Sequence, residues 1–366
     1  MSRPAFLKQR KFTAKAKYSD TIRVATWNTL SQSLVKRDLY PGSNCLKLKD
    51  RLPRLLEEST KYSPDVLCLQ EVDQLDKLKS ALAQYNHVDC FGRDGNDNIK
   101  KHGLVIFYKE SFQFVKKKTV SYDSHTLWPL SRKTNNVGLV VALRTNTSRG
   151  FIVATSHLFW HPAFVYERTR QTYILLEQAD QLRKELSVDW PILLCGDLNS
   201  EPHELVYQVL VDGSIDEKER QRVEMSRVRH SSVLDGYADK PPEQGANLPM
   251  TNSIPNENCP TPEQLIAAFK HLPKFESAYD NLNGSEFYSE RDTSLTGRRG
   301  ANEPKLTNYM PKFGNLTLDY ILYERNRDIQ VEATLNIPSC DSLAPGLPKL
   351  DVTASDHLIL AADLKI

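Results

Sequence analysis

Pro191-Ile-Leu-Leu-Cys-Gly-Asp-Leu-Asn199 reads as a buried strand that runs straight into a Gly-Asp turn. A short continuous apolar run of this kind fits a strand covered on both faces. An acid and an amide follow at its end, where polar side chains can meet a ligand. The same pattern recurs outward along the chain. Ile22-Arg-Val-Ala-Thr-Trp27 alternates apolar and polar residues, the period of a strand, and Asn28 ends it. Asp65-Val-Leu-Cys-Leu-Gln70 is ended by Glu71, and Phe151-Ile-Val-Ala-Thr-Ser156 by His157. Asp319 lies within Leu318-Asp-Tyr-Ile-Leu322, and Asp356 and His357 open the last strand.

Between these strands the helical period appears. Tyr173, Leu176, Ala179, Leu182 and Leu186 recur at three- and four-residue steps and predict a helix. Asp50 is expected to cap another helix, with a stripe of Leu52, Leu55, Leu56 and Tyr62; Pro53 is tolerated in its first turn. Leu75, Leu78 and Leu82 line a short third helix. Gly103 to Tyr108 and Val137 to Leu143 add strands, and Phe112 to Val115 reads as a hairpin partner. Strands alternate with helices, so the class is α/β. From about 213 to 304 the chain turns polar and poor in strands, which reads as an insertion into a single domain spanning 20–366. Within it, Thr261-Pro-Glu-Gln264 has the form of a capping box with Pro at the first helical position.

Composition narrows the class further. The 48 Lys+Arg nearly cancel the 46 Asp+Glu, so net charge names no partner and any anion site must be local. The six cysteines form no C-x-x-C pair, which favours reduced, buried thiols in an intracellular compartment. Val137-Gly-Leu-Val-Val-Ala-Leu143, the longest apolar run, falls far short of the ~18 residues of a membrane span, so no membrane partner is expected. Residues 1–19 carry Arg3, Lys8, Arg10, Lys11, Lys15 and Lys17. They read as a basic, disordered tail that could brush RNA phosphates, or as a mitochondrial presequence. The excess of Lys over Arg and the scarcity of Ser favour the tail. A cytoplasmic location is expected, with nucleus or mitochondrion as alternatives through that basic segment.

Asn28, Glu71, His157, Asp197, Asn199, Asp319, Asp356 and His357 all sit at strand ends or within strands. Singly, Asn28, Asp197 and Asn199 could be turn formers, and each His a satisfied core residue. Asp319 is harder to dismiss, since an unpartnered charge between Leu318 and Tyr320 would cost several kcal/mol. Together, these are residue types that bind hard divalent ions or move protons.

Thr26-Trp-Asn28, Leu69-Gln-Glu71, Ser156-His157, Gly196-Asp-Leu-Asn199, Leu318-Asp-Tyr320 and Ser355-Asp-His357 occur in this order. The series resembles the endonuclease/exonuclease/phosphatase superfamily, the fold of pancreatic deoxyribonuclease, from about residue 20 to 366. The resemblance implies a four-layer α/β sandwich, two packed mixed β-sheets flanked by helices. The stretches Asn28 to Pro41, His157-Leu-Phe-Trp-His-Pro162 and Tyr166-Glu-Arg-Thr-Arg-Gln171 are similar to the deadenylase-related branch. That branch holds the carbon-catabolite-repressor-type deadenylases, Nocturnin, Angel and the fungal Ngl RNA exonucleases; Asn135 to Ala142 looks most like the Ngl group. Inositol phosphatases would want Cys-Asp-Arg where this chain has Leu318-Asp-Tyr320, and abasic-site endonucleases lack the His-x-x-Trp-x-Pro run.

By that resemblance the chain is a Mg²⁺-dependent 3′-to-5′ RNA exonuclease, with Mn²⁺ as a substitute ion, acting on single-stranded RNA 3′ ends and releasing 5′-nucleotides. Glu71, with Asn28 and Asp356, would hold the metal. Asp197 would orient or deprotonate the attacking water, helped by Asn199. Asp319 would hold His357 in its tautomer, and His157 would hydrogen-bond the scissile phosphate. Asn199 and Pro162 match residues that clasp the terminal base, Phe313 is a looser match, and Arg168 and Arg170 would contact backbone phosphates or lie on a solvated helix face. His161 stands where the deadenylases carry Asp, and the spacing from Phe313 to Asp319 differs from theirs. Both departures speak against strict poly(A) preference. Two alternatives compete: a Nocturnin-like phosphatase acting on a small phosphorylated nucleotide, and an inactive RNA-binding scaffold. The scaffold predicts loss of Glu71, Asp197, Asp319 or His357, and all four are present.

Overall fold

Two parallel strand–helix–strand units organise the molecule. The computed structural model describes residues 10–14, 20–146, 149–227, 256–280 and 295–366. β1 (Thr21–Asn28) connects through α1 (Leu48–Lys61) to its parallel neighbour β2 (Val66–Val72). Then come α2 (Leu75–Ala81), β3 (Tyr85–Cys90), β4 (Gly103–Lys109), β5 (Gln113–Ser121) and β6 (Val137–Arg144). β7 (Gly150–His157) connects through α3 (Val165–Glu185) to its parallel neighbour β8 (Ile192–Asp197). α4 (Leu205–Val211), α5 (Glu217–Ser226), α6 (Pro262–Phe269), β9 (Phe275–Ser277), β10 (Asn308–Met310) and β11 (Gly314–Leu316) follow. β12 (Asp319–Glu324), β13 (Gln330–Thr334), α7 (Cys340–Leu343) and β14 (Leu360–Lys365) complete the chain.

Twelve strands form two six-stranded mixed sheets, in the orders β13-β14-β1-β2-β4-β3 and β5-β6-β7-β8-β12-β9, and β10 and β11 pair as a separate hairpin. Val24, Val66, Cys68 and Ile106 from the first sheet meet Val141, Val153, Cys195 and Ile321 from the second. Burying each such aliphatic side chain contributes ~1.5–3 kcal/mol. Trp27, Leu55 and Leu69 pack on the outer face of the first sheet, where α1 and α2 lie. Ile174, Leu175 and Leu210 do the same for the second sheet, beneath α3 and α4. The result is the four-layer α/β sandwich. All six cysteines are free. Among the described residues no helix is long and apolar enough to cross a membrane.

The local reading needs three adjustments. Residues 10–14, read as part of a tail, run along the first sheet: Thr13 N–H donates to Thr334 O at 2.9 Å, and the Arg23 guanidinium lies 3.9 Å over the Phe12 ring. Residues 1–9 and 15–19 lie outside the described residues. The polar stretch supplies core as well as surface. α6 buries Leu265 and Phe269 under the second sheet, with the Thr261–Gln264 capping box made, and β9 extends that sheet as an edge strand. Residues 228–255 and 281–294 of the stretch lie outside the described residues. Finally, α1 starts at Leu48 rather than behind Asp50, and the face it buries is charged: Arg51, Arg54 and Glu58 accompany Leu55.

That charged face fastens the segment leading into Asp356. Arg51 Nε donates to Ala354 O at 2.7 Å and Arg54 Nε to Leu350 O at 2.6 Å. Glu58 Oε2 accepts from Thr353 Oγ1 at 2.8 Å. Burial pushes the Glu58 carboxyl up to about 7, against the lowering effect of Thr353 and Arg10. A raised carboxyl in the fold means stability that is full below the unfolded pKa of about 4.3 and lost as pH rises through about 7. The loss is on the order of 3 kcal/mol at 1.36 kcal/mol per pKa unit. Glu58→Gln is therefore expected to flatten the fall in stability between pH 5 and pH 8. Urea midpoints of both proteins across that range check it; parallel curves contradict it.

Candidate active site

Strand register brings the polar residues together. In the second sheet, Asp197 is paired on one side with His157 and on the other with Asp319. In the first sheet, Asn28 is paired with Gln70, and Glu71 follows at a bulge between Leu69 and Val72. A bulge re-aims a side chain that strict alternation would send elsewhere. Glu71 pays for this with a left-handed backbone, φ 56°, and Asn199 is also left-handed at φ 46°. Non-glycine residues held there cluster at functional sites. Gln70 ties the two sheets by donating to Thr26 Oγ1 and Thr155 Oγ1, both at 3.1 Å.

Asp197 is the centre of the constellation. Its Oδ2 accepts from Asn28 Nδ2 at 2.9 Å and lies 3.5 Å from His157 Nε2 and 3.7 Å from His357 Nε2. Its Oδ1 accepts Asn199 N–H at 2.9 Å. Glu71 accepts from Asn28 Nδ2 at 3.1 Å and Ser31 N–H at 2.9 Å, and lies 3.6 Å from His157 Nδ1. His357 Nδ1 meets Asp319 Oδ2 at 2.8 Å, and Thr307 Oγ1 donates to the same oxygen at 2.7 Å. Asp356 Oδ2 accepts from Tyr40 O–H at 3.0 Å. Glu71, Asp197, Asp319 and Asp356 are each no more than 7% exposed.

Electrostatics separate their states. Burial alone would raise Glu71, but His157 and His102, with Ser31 N–H and the Asn28 amide, hold its carboxyl below the usual range. Burial raises Asp356, only partly opposed by His357. Burial also lifts Asp319 to about 6. It disfavours charge on His357, yet Asp319, Asp197 and Asp356 together raise that imidazole well above its ordinary value. The Asp319–His357 pair thus holds a shared proton firmly through neutral pH.

Four buried carboxylates outnumber the three histidines around them, His102, His157 and His357, which favours a further cation. Asp197, Asp319 and His357 offer ligand atoms within 4.8 Å of one another, and Asp319 Oδ1 is buried without a hydrogen-bond partner. With His357 protonated on Asp319, the donors left to a hard divalent ion are the carboxylate oxygens of this centre, those of Glu71 and Asp356 among them. Asn28 is at the centre but differs from its expected part. Its Oδ1 accepts Leu30 N–H at 3.0 Å while its Nδ2 faces Glu71 and Asp197, so it clamps two carboxylates rather than offering an oxygen.

The substrate-side residues divide. Pro162 is exposed on the loop after His157, and Asn199 Nδ2 donates to Leu158 O at 2.9 Å in that loop. Phe313 sits at the turn of the β10–β11 hairpin, whose Tyr309 N–H donates to Asp356 O at 2.9 Å. Arg168 and Arg170 are corrected: both are 0% exposed, so neither a phosphate contact nor a solvated face fits. Arg168 donates to the His161 and Pro162 carbonyls and lies 3.4 Å from Glu204. Arg170 binds the carbonyls of Tyr122, His125 and Trp128. Two residues apart on α3, the arginines point in different directions, and each turns inward onto loop carbonyls that no sequence pattern announces. Arg168→Ala is expected to cost ~2–4 kcal/mol, since it removes the donor to the His161 and Pro162 carbonyls and one of the two guanidinium partners of buried Glu204, the other being Arg222 at 2.8 Å. A phosphate contact would instead leave stability unchanged and lower the salt dependence of RNA binding. Denaturant melts beside a salt titration distinguish the two.

Tyr40, His102, Thr307 and Arg51 were not anticipated. Tyr40 and His102 lie outside any periodic pattern, and Thr307 reaches Asp319 only through the fold. Arg51 alone left a signal, as a charge within the helical face of α1.

The sequence profile of the Endonuclease/Exonuclease/phosphatase family matches residues 25–357. RNA exonuclease NGL2 of Saccharomyces cerevisiae is 27% identical over 94% of this chain and 78% of its own length. Probable RNA exonuclease NGL3 of the same yeast is 31% identical over 86% of this chain and 67% of its own length. Among solved structures, ANGEL2, a 2′,3′-cyclic phosphatase in complex with adenosine-2′,3′-vanadate, superposes with a TM-score of 0.70. It covers 98% of this chain and 100% of its own at 23% identity, a likeness of fold.

Proposed function

Because the chain belongs to the endonuclease/exonuclease/phosphatase family of hydrolases, we propose that it is a Mg²⁺-dependent RNA exonuclease that removes 5′-nucleotides from single-stranded 3′ ends. The observation that carries this reading is the convergence of Glu71, Asp197, Asp319–His357 and His157 from two sheets on one buried, carboxylate-rich centre. The similarity to RNA exonucleases over nearly the whole chain supports RNA as the substrate class. Mn²⁺ is expected to substitute for Mg²⁺.

Glu71 and Asp356 would hold the metal, which when bound neutralises phosphate charge and favours departure of the leaving oxygen. Asp197, steadied by Asn199 N–H and the Asn28 amide, orients the attacking water and takes its proton. The water oxygen bonds to phosphorus as the bond to the 3′ oxygen of the preceding nucleotide breaks. His357, kept protonated by Asp319, offers Nε2–H to the phosphate region. His157, whose ring nitrogens lie 3.6 Å from Glu71 and 3.5 Å from Asp197, would donate to the scissile phosphate. Pro162 and Phe313 supply apolar surface for the terminal base, where stacking on aromatic rings is worth ~1–3 kcal/mol.

The test uses 5′-labelled RNA 20-mers, one poly(A) and one of mixed sequence, with Mg²⁺. A ladder shortening from the 3′ end on both is expected, with a poly(A) preference of less than about tenfold, or 1.4 kcal/mol. Intact RNA beside release of phosphate from a small phosphorylated nucleotide would replace the exonuclease by a phosphatase.

A further inference from the structure

The loop between β1 and α1 is stitched to the segment that carries Asp356. Ser43 Oγ donates to Pro348 O at 2.6 Å, and Leu350 N–H donates to Asn44 Oδ1 at 3.0 Å. Arg51 donates from one side to Thr29 O at 2.7 Å and from another to Ala354 O at 2.7 Å. At the inner end of this seam stands Tyr40, 3% exposed, with its hydroxyl 3.0 Å from Asp356 Oδ2. Asp356 is itself 3% exposed and cannot draw on bulk water. Ser355 Oγ lies 3.3 Å from its other oxygen, but the single hydroxyl proton of Ser355 has a shorter bond to Asn28 O at 2.7 Å. Tyr40 is therefore the side chain whose donor is committed to Asp356.

We propose that Tyr40 is a positioning residue of the hydrolytic centre, fixing the Asp356 carboxylate relative to Glu71 and His357. Asp356 precedes His357 directly in sequence, and its carbonyl accepts Tyr309 N–H at 2.9 Å. The backbone at this point is thus held independently of Tyr40. What the phenol adds is the torsion of the carboxylate, the variable that matters to an ion or phosphate bound there. A phenylalanine ring fills the same space and leaves that torsion free. Partners that orient a metal-binding carboxylate typically carry 10–100-fold of metal affinity or activity.

This inference rests on the reading of the site as a metal-dependent hydrolytic centre. The experiment compares wild type, Tyr40→Phe and Ser43→Ala. Ser43→Ala breaks the same seam at Pro348 without touching Asp356. Each protein is measured for Tm, for Mn²⁺ affinity by electron paramagnetic resonance titration, and for kcat and KM on an RNA 20-mer. Tyr40→Phe is expected to lose 10–100-fold in kcat and a comparable factor in Mn²⁺ affinity, with KM and Tm nearly unchanged. Ser43→Ala is expected to lower Tm only. A folded Tyr40→Phe with wild-type kcat and Mn²⁺ affinity overturns the inference. So does a Ser43→Ala that loses kcat as steeply, since Tyr40 would then act only as part of the seam. If wild type binds Mn²⁺ but leaves RNA intact, the RNA reading fails and Mn²⁺ affinity alone decides on Tyr40. If wild type binds no Mn²⁺, both fail.

Discussion

Asp319→Asn is expected to lower kcat on RNA by about 10³–10⁴-fold while the protein stays folded. Asp319 Oδ2 sits 2.8 Å from His357 Nδ1, so it accepts the proton there and leaves Nε2 facing Asp197. Thr307 Oγ1 donates to the same carboxylate oxygen and accepts the backbone N–H groups of Leu318 and Asp319 at 2.9 and 3.0 Å. An asparagine in this frame keeps the shape but can turn an N–H toward the ring, which selects the wrong tautomer. Asp319 is also the strongest of the charges that raise His357. Its loss leaves only Asp197 and Asp356 to oppose burial, so His357 should shed its proton at lower pH. The residual activity of the variant should therefore fall away at lower pH on its alkaline side than that of wild type. Single-turnover kcat across pH 5 to 9 checks both parts. A loss of tenfold or less, with an unmoved alkaline limb, would show that the pair is structural.

The second large effect is expected at Glu71. Removing its carboxylate in Glu71→Ala takes away the acceptor for Asn28 Nδ2 and Ser31 N–H and the group nearest His157 Nδ1. If Glu71 holds the metal, several kcal/mol of charge stabilisation go with it, on the order of 10³-fold or more in rate. Stability should fall as well, but modestly: the Glu71 carboxyl is held below its usual range, so its ionised form stabilises the fold, and its loss strands the buried Ser31 N–H, about 1–3 kcal/mol in EDTA. Loss of activity in a Glu71→Ala protein that still melts as one folded species marks a functional residue.

Much of this was legible in the sequence because strands announce themselves by apolar runs and the site is built where those runs end. Asn28, Glu71, His157, Asp197, Asp319 and His357 each interrupt or terminate such a run, and the register of two sheets then carries them to one place. What escaped was polarity facing inward. Arg51, Arg54, Arg168 and Arg170 look like solvated helix charges, since burying a guanidinium is costly and uncommon. For Arg51, Arg54 and Arg170 the cost is offset by loop carbonyls contributed from more than 20 residues away at Ala354, Leu350, Trp128 and Tyr122, and for Arg168 by the His161 and Pro162 carbonyls and Glu204. No local spacing encodes such partners. Tyr40 was hidden for the same reason, since its acceptor lies at the far end of the chain.

The proposed function requires that one centre, containing Glu71, hydrolyse RNA with a divalent ion. The most direct measurement runs wild type and Glu71→Ala side by side on a 5′-labelled RNA 20-mer, with Mg²⁺ and with EDTA. The account predicts stepwise shortening from the 3′ end by wild type with Mg²⁺, and full-length RNA in the other three lanes. A Glu71→Ala protein that shortens RNA like wild type, or a wild type indifferent to EDTA, would contradict it.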